Sequence, residues 1–129
     1  MQVLNAMTAA VVVVGPEHTL RQAAERMVER NVGSAIVLDP DGAGPGIITE
    51  RDMLRSIAAG QDPDQEIVGD HLTDTATSCE PGTDLEEVAA AMVRGGFRHI
   101  VVCDGPDLVG VMSMRDIVRS WLQERRPVM

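Results

Sequence analysis

The stretch Gly46-Ile47-Ile48-Thr49-Glu50-Arg51-Asp52-Met53 occurs a second time as Gly110-Val111-Met112-Ser113-Met114-Arg115-Asp116-Ile117. Both copies have a glycine, an apolar pair, a hydroxyl residue and, three residues after the hydroxyl, an aspartate. Working outward, a shift of 65 positions matches Pro16 with Pro81, Leu20 with Leu85, Ala24 with Ala89 and Met27 with Met92. A match at a fixed period over most of the chain indicates two copies of one supersecondary unit.

Size and charge limit the classes of protein that the chain can form. The 129 residues hold two repeats of about 60, which must share a core because half of such a core is not stable alone. Apolar residues make up 44% of the chain, enough for a globular interior. The net charge is −9, from five arginines against nine acids over residues 1–65 and six against eleven over 66–129. Because this field repels phosphate backbones, we do not expect a nucleic-acid partner.

The cysteines and the apolar runs bear on the compartment. Cys79 and Cys103 have no neighbouring Cys or His at metal-ligand spacing, and no secretory leader precedes them. The longest apolar runs are far too short to span a bilayer. We therefore expect a reduced cytoplasmic protein with no membrane partner and no metal. Cys103 should behave as a small buried hydrophobe, and a redox role for Cys79 is disfavoured because no cation nearby lowers its pKa.

Each copy is predicted to run strand, helix, strand, strand, helix, which makes an α+β fold of two pseudo-symmetric β-α-β-β-α repeats. Residues 1–60 form the first repeat, 61–66 a polar linker and 67–129 the second repeat. Thr19 and Gln22 have capping-box spacing before the first helix, and Asp84 and Glu87 repeat it. The later strands, each pair joined by a short turn and therefore antiparallel, are predicted at residues 35–38 and 46–48, and at 100–103 and 108–112. The closing helices are predicted at residues 51–59 and 115–124.

Apolar residues at helical spacing predict which positions of the helices are buried. In the first helix of each repeat they are Leu20, Ala23, Ala24, Met27 and Val28, and Leu85, Val88, Ala89, Met92 and Val93. In the closing helices they are Met53, Leu54 and Ile57, and Ile117, Val118, Trp121 and Leu122.

Thr49 with Asp52, and Ser113 with Asp116, place a hydroxyl and a carboxylate where a buried strand meets a helix. This spacing is typical of a capping box, and an acid in the first turn also complements the helix dipole. The same notch can bind a ligand, because a carboxylate accepts two hydrogen bonds from a vicinal diol such as ribose. Both interpretations stay open, since one carboxylate has enough lone pairs for both roles.

Arg51 and Arg115 occupy the first turn of each closing helix and are candidates to meet a phosphate group. An arginine offers a planar fork of donors that matches phosphate oxygens.

These residues together resemble a tandem pair of cystathionine β-synthase (CBS) domains. The resemblance rests on the repeated Gly-apolar-apolar-Thr/Ser-x-Arg-Asp segment, on the apolar strand ending in Asp39 or Asp104, on Pro16 and Pro81, and on the repeat period. It covers essentially the whole chain and implies a stand-alone CBS-domain pair, with the repeats packed sheet to sheet into one compact module. It also implies two clefts between the repeats for ligands such as AMP, ADP, ATP, S-adenosylmethionine or NAD-type dinucleotides.

The resemblance also implies roles for particular residues. The motif aspartate binds the ribose in the family, so Asp52 with Thr49 would serve one cleft and Asp116 with Ser113 the other. The family tends to bring the start of the opposite repeat's middle strand to each ligand. That would add Arg98 and His99 to the Asp52 cleft, and Gly33 and Ser34 to the Asp116 cleft. Because only the first pair can meet an anionic phosphate, we predict that the Asp52 cleft is the better nucleotide site.

We therefore expect a non-catalytic regulatory module with no obligatory cofactor and with an adenine nucleotide or S-adenosylmethionine as effector. The alternative is a ligand-free interaction or scaffold module in which Asp52 and Asp116 only cap helices. An enzyme is not expected, since no nucleophile is paired with a base and no phosphate-loop signature occurs. We expect a homodimer formed by the end helices, which keep Trp121 and Leu122 near the surface, and a protein partner that the sequence does not name.

Overall fold

The computed structural model describes residues 1–42, 44–73 and 76–124. The chain divides into two compact units. We call Val11–Ala76 the first-repeat unit, and Met1–Ala10 with Thr77–Met129 the second-repeat unit. Each contains one three-stranded sheet with helices, which confirms the predicted α+β class.

The first-repeat unit follows the predicted element order. Its elements are β1 (Val13–Val14), α1 (Leu20–Arg30), β2 (Ser34–Val37), β3 (Gly46–Thr49) and α2 (Glu50–Ala58). The sheet has the order β1-β2-β3, with β1 parallel to β2 and β2 antiparallel to β3. The antiparallel pair sets Ser34 opposite Thr49, so the start of β2 lies beside the end of β3.

The second-repeat unit has the same topology. Its elements are β4 (Ser78–Cys79), α3 (Leu85–Gly95), β5 (His99–Asp104), β6 (Asp107–Ser113) and α4 (Met114–Glu124). The strand β4 runs parallel to β5, and β5 is antiparallel to β6 with His99 opposite Ser113. Sequence gave no direct sign of β4, because Ser78 and Cys79 lack the apolar run that marks β1. They nevertheless lie 65 positions after Val13 and Val14.

The ends of the helices agree in part with the capping residues predicted from the sequence. Gln22 N–H donates to Thr19 Oγ1 at 3.1 Å and Thr19 N–H to Gln22 Oε1 at 3.0 Å, which confirms the first capping box. The second was wrong in detail: the Asp84 side chain makes no capping bond, and Glu87 N–H bonds to the Asp84 carbonyl instead. The helix α3 ends at Gly96 with φ of +71°, a left-handed conformation that glycine adopts without strain.

Most predicted core residues of α1 and α3 are buried, but one predicted core valine in each helix is exposed. The buried residues are Leu20, Ala23 and Met27 in α1 and Leu85, Val88 and Met92 in α3, with Ala24 and Ala89 partly buried beside them. Val28 and Val93, predicted to be buried, are 80% and 74% exposed. Each follows a buried methionine by one position, a rotation of about 100° around the helix, which turns it away from the sheet.

The closing helices bury a narrower face than expected. Met53 and Ile117 are buried as predicted, but Leu54 is 65% exposed, and Ile57, Val118, Trp121 and Leu122 are exposed as well. The positions buried beside Met53 and Ile117 are the polar residues Ser56, Asp116 and Ser120. Each closing helix therefore presents apolar side chains on the surface of the chain.

Two short segments, residues 3–8 and 68–73, dock on the sheets in equivalent ways. We call them the docking segments. Val3 and Val68 are completely buried; Val3 N–H donates to the Thr83 carbonyl and Val68 N–H to the His18 carbonyl. Farther along, isolated bridges pair Thr8 with Val111 on β6 and Thr73 with Ile47 on β3. Residues 3–8 therefore belong to the second-repeat unit, and residues 68–73 to the first-repeat unit.

Candidate functional site

The first notch lies where β3 ends at Thr49 and α2 begins at Glu50. Thr49 N–H donates to Asp52 Oδ2 at 2.9 Å, and Asp52 N–H donates to Thr49 Oγ1 at 3.3 Å. The Thr49 hydroxyl also donates to Asp52 Oδ2 at 3.1 Å. This reciprocal capping box fixes one oxygen of the Asp52 carboxylate at the helix N-terminus.

The second notch repeats this arrangement at the junction of β6 and α4. Ser113 N–H donates to Asp116 Oδ2 at 2.8 Å, and Asp116 N–H donates to Ser113 Oγ at 3.1 Å. Both motif aspartates are thus capping residues, as the spacing predicted.

The two aspartates differ at the other carboxylate oxygen. Asp116 is 7% exposed, and its Oδ1 accepts from Arg119 Nη1 at 3.3 Å, three residues later on the same helix. Among residues 1–42, 44–73 and 76–124, the donors to the Asp52 carboxylate are the backbone N–H and the hydroxyl of Thr49. Both donate to Oδ2. Asp52 itself is half-buried, and no described residue donates to its Oδ1.

Arg119 was missed from the sequence, although a signal was present. An acid and an arginine three positions apart on a helix are neighbours that can form an ion pair. Asp52 and Arg55 have the same spacing, yet among the described residues no ion pair joins them. The spacing alone does not say which of the two pairs forms.

The other predicted site residues lie beside the notch of their own repeat. Ser34 is buried opposite Thr49, and His99 is half-buried opposite Ser113. The carbonyls of Gly33 and Arg98 accept from the first helical amides, those of Glu50 and Met114 respectively. The expected approach of Arg98 and His99 to Asp52 involves both units and stays a prediction. Arg51 and Arg115 are exposed in the first turns of α2 and α4.

The cysteines do not form an activated thiol site. Cys79 and Cys103 are free and half-buried, on β4 and β5. Burial raises the pKa of the Cys79 thiol, and its electrostatic interaction with Cys103 raises it further. A raised pKa leaves the thiol protonated at neutral pH, which weakens the case for a redox role.

The described residues offer neither a metal site nor a membrane-spanning helix. They include no group of three or more His, Cys, Asp or Glu that could hold a metal ion. Within the same part of the chain, no helix is long and apolar enough to cross a membrane.

Two β-α-β-β-α repeats, each with a capping carboxylate at a strand-to-helix junction, define a class of tandem-repeat α+β modules. The chain belongs to the CBS domain family, whose sequence profile matches residues 2–59 and 68–122. It is a CBS-domain pair.

Relatives of similar and of greater length match the chain. The CBS domain-containing protein YhcV of Bacillus subtilis is 32% identical over 116 residues, 89% of this chain and 81% of that protein. Two archaeal relatives at 30% identity are longer, and this chain spans 40% and 57% of their lengths.

Two solved structures share the fold over nearly the whole chain. The CBS domain protein PAE2072 from Pyrobaculum aerophilum, complexed with AMP, is 27% identical with a TM-score of 0.82, covering 96% of this chain and 97% of that one. A hexameric CBS-CP12 protein from bloom-forming cyanobacteria is 26% identical with a TM-score of 0.87, covering 99% of this chain and 76% of that one.

Proposed function

We propose that the chain is a non-catalytic regulatory module that binds an adenosine-containing ligand through Asp52. The observation that carries this proposal is the state of the Asp52 carboxylate: Thr49 fixes Oδ2, while no described residue donates to Oδ1. A fixed carboxylate with a free oxygen can accept hydrogen bonds from a ribose diol without giving up its capping bonds. Each bond to a charged acceptor contributes about 1.5–3 kcal/mol.

The comparisons support this ligand class. PAE2072, which matches over almost the whole chain, was solved with AMP. We propose that Arg98 and His99, with Arg51, meet the phosphate of a ligand at Asp52. The corresponding residues of the second notch are Ser113, Arg115 and Asp116, with Ser34 as the added residue.

The proposed mechanism is a shift between arrangements of the module. A ligand that binds one arrangement more tightly than the other raises the population of the first, and the difference between the two affinities sets the size of the shift. A partner protein then recognises the favoured arrangement. The non-catalytic role rests on the regulatory character of CBS-domain pairs.

A thermal-shift series tests the proposal. AMP, ADP, ATP, S-adenosylmethionine and NAD are each added to the wild type, Asp52→Asn and Asp116→Asn. Asparagine keeps an oxygen for the capping bond and removes the charge that a diol needs. A ligand at a hundredfold over Kd should raise Tm by roughly 10 °C in the wild type and Asp116→Asn, and by much less in Asp52→Asn. Equal losses in both variants would contradict the choice of Asp52.

The second candidate is a ligand-free scaffold module. It is favoured by the capping boxes, which give both carboxylates a structural role without any ligand. In that case none of the five ligands shifts Tm in the wild type.

We also propose that the protein forms a homodimer and resides in the cytoplasm. The dimer is supported by the apolar side chains that α2 and α4 expose, among them Leu54, Trp121 and Leu122. The compartment is supported by two cysteines that are free thiols, as is usual where the medium is reducing.

A further inference from the structure

The motif aspartates share their capping bonds and differ in one ion pair. In α4, Arg119 Nη1 lies 3.3 Å from Asp116 Oδ1, while Ser113 N–H holds Oδ2. Both oxygens of Asp116 are therefore engaged within the chain. In α2, Arg55 stands at the position of Arg119, and no described residue donates to Asp52 Oδ1.

We propose that Arg119 closes the second notch to a ribose diol, so that the chain binds one adenosine-containing ligand, at Asp52, and not two. This inference rests on the proposed function and adds the residue that determines which notch is used.

The physical argument is competition for one oxygen. A diol needs a carboxylate oxygen with a free lone pair pointing to solvent, and the guanidinium already occupies Asp116 Oδ1 with a charge-assisted bond. The Asp116 side chain is only 9% exposed while that of Arg119 is 57% exposed. The arginine is thus the part of this pair that faces solvent, and a ligand must displace it before it can reach the aspartate.

The alternative role for Arg119 is a phosphate contact. If the arginine swings away from Asp116 to meet the phosphate of a bound nucleotide, its removal weakens binding at the second notch. The two roles therefore predict opposite effects of the same substitution.

The test measures AMP binding by isothermal titration calorimetry on the full chain. The wild type should bind one AMP per chain, and Asp52→Asn should show no binding. Adding Arg119→Met to Asp52→Asn frees the Asp116 carboxylate and keeps an apolar stem of similar length. AMP binding should then appear, with one AMP bound per chain. Adding Asp116→Asn as a third substitution should abolish the gain.

Arg55→Met in the Asp52→Asn background is the matched control, because it removes the equivalent arginine of the first repeat and should give no gain. Two bound AMP per wild-type chain would overturn the inference. An Asp52→Asn/Arg119→Met chain that keeps its unfolding transition but gains no AMP binding would overturn it as well. In either case, AMP binding by the wild type that is lost in Asp52→Asn would still support the proposed function. If no chain binds any nucleotide, both proposals fail together.

Discussion

The two oxygens of each motif aspartate are held differently. One oxygen of Asp52 and one of Asp116 cap a helix, which contributes about 1 kcal/mol to stability in such boxes. The remaining oxygen is paired with Arg119 in the second repeat, and no described residue donates to it in the first. Substitution by alanine would remove the cap together with any ligand contact, so asparagine is the variant that tests ligand binding separately from stability.

Cys79 gives a prediction about pH. In a Cys103→Ser chain, Cys79 should react slowly with a thiol reagent at neutral pH, because burial, the larger cause, still raises its pKa above the ordinary value and the thiolate is scarce. Its rate should reach half its maximum at a higher pH in the folded chain than in the unfolded chain. Since the folded pKa is the higher one, the stability from the neutral thiol is present below the unfolded pKa and is lost as pH rises through the folded value.

The control for Cys79 is the same Cys103→Ser chain unfolded in urea, where the thiol titrates near its ordinary pKa. Equal rates in the folded and unfolded chains at neutral pH would show that Cys79 is accessible and unperturbed.

At the scale of elements, the contact of β6 with residues 3–8 depends on a glycine. A Cβ on Gly110 would lie 2.7 Å from the Thr8 carbonyl oxygen, which is backbone and cannot rotate away. Val111 and Thr8 exchange backbone hydrogen bonds at 3.0 and 2.9 Å next to it. A side chain at position 110 would therefore push this docking segment off the edge of the sheet.

Gly110→Ala should lower the free energy of unfolding by about 1–3 kcal/mol, as other overpacking substitutions do, and expose residues 3–8 to protease. Urea denaturation and limited proteolysis measure the two effects. Gly82→Ala is the control, because a Cβ there meets nothing within 4 Å. A Gly110→Ala chain with the midpoint of the wild type would show that the segment can shift without cost.

The repeats, the antiparallel pairs and the Thr19 capping box could be predicted because each depends on residues close in sequence. The strand β4 could be predicted from the repeat alone, because Ser78 and Cys79 have no apolar run of their own and pair with β5. Two features could not be predicted. Val3 and Val68 lie outside the predicted helices and strands, and only the folded structure shows that each is part of a core. The pairing of Asp116 with Arg119 depends on side-chain conformation. Asp52 and Arg55 have the same spacing, yet no ion pair joins them among the described residues.

At the scale of the whole molecule, the exposed apolar side chains of the closing helices predict self-association. A single Leu side chain that is buried on assembly contributes about 1.5–3 kcal/mol, so Leu122→Glu should weaken a dimer by at least about tenfold. Sedimentation equilibrium measures the mass. Trp121, the single tryptophan and 37% exposed, should shift its emission to the red as a wild-type dimer is diluted.

Val28→Glu is the control for this experiment, because Val28 is equally apolar, 80% exposed, and lies on α1. It should leave the mass of the assembly unchanged. A Leu122→Glu chain with the same mass as the wild type over the whole concentration range would rule out α4 as the interface.

The docking segments also set an order of events during protein synthesis. The first-repeat unit is continuous from Val11 to Ala76 and can close as soon as that stretch has left the ribosome. The second-repeat unit holds Val3 and Leu85 in one core, so residues 3–8 wait until the stretch that begins at Thr77 has been synthesised. At roughly 5–20 residues per second this wait lasts several seconds. During that time Val3 is an unburied apolar side chain on a nascent chain, and a chaperone has its opportunity to bind.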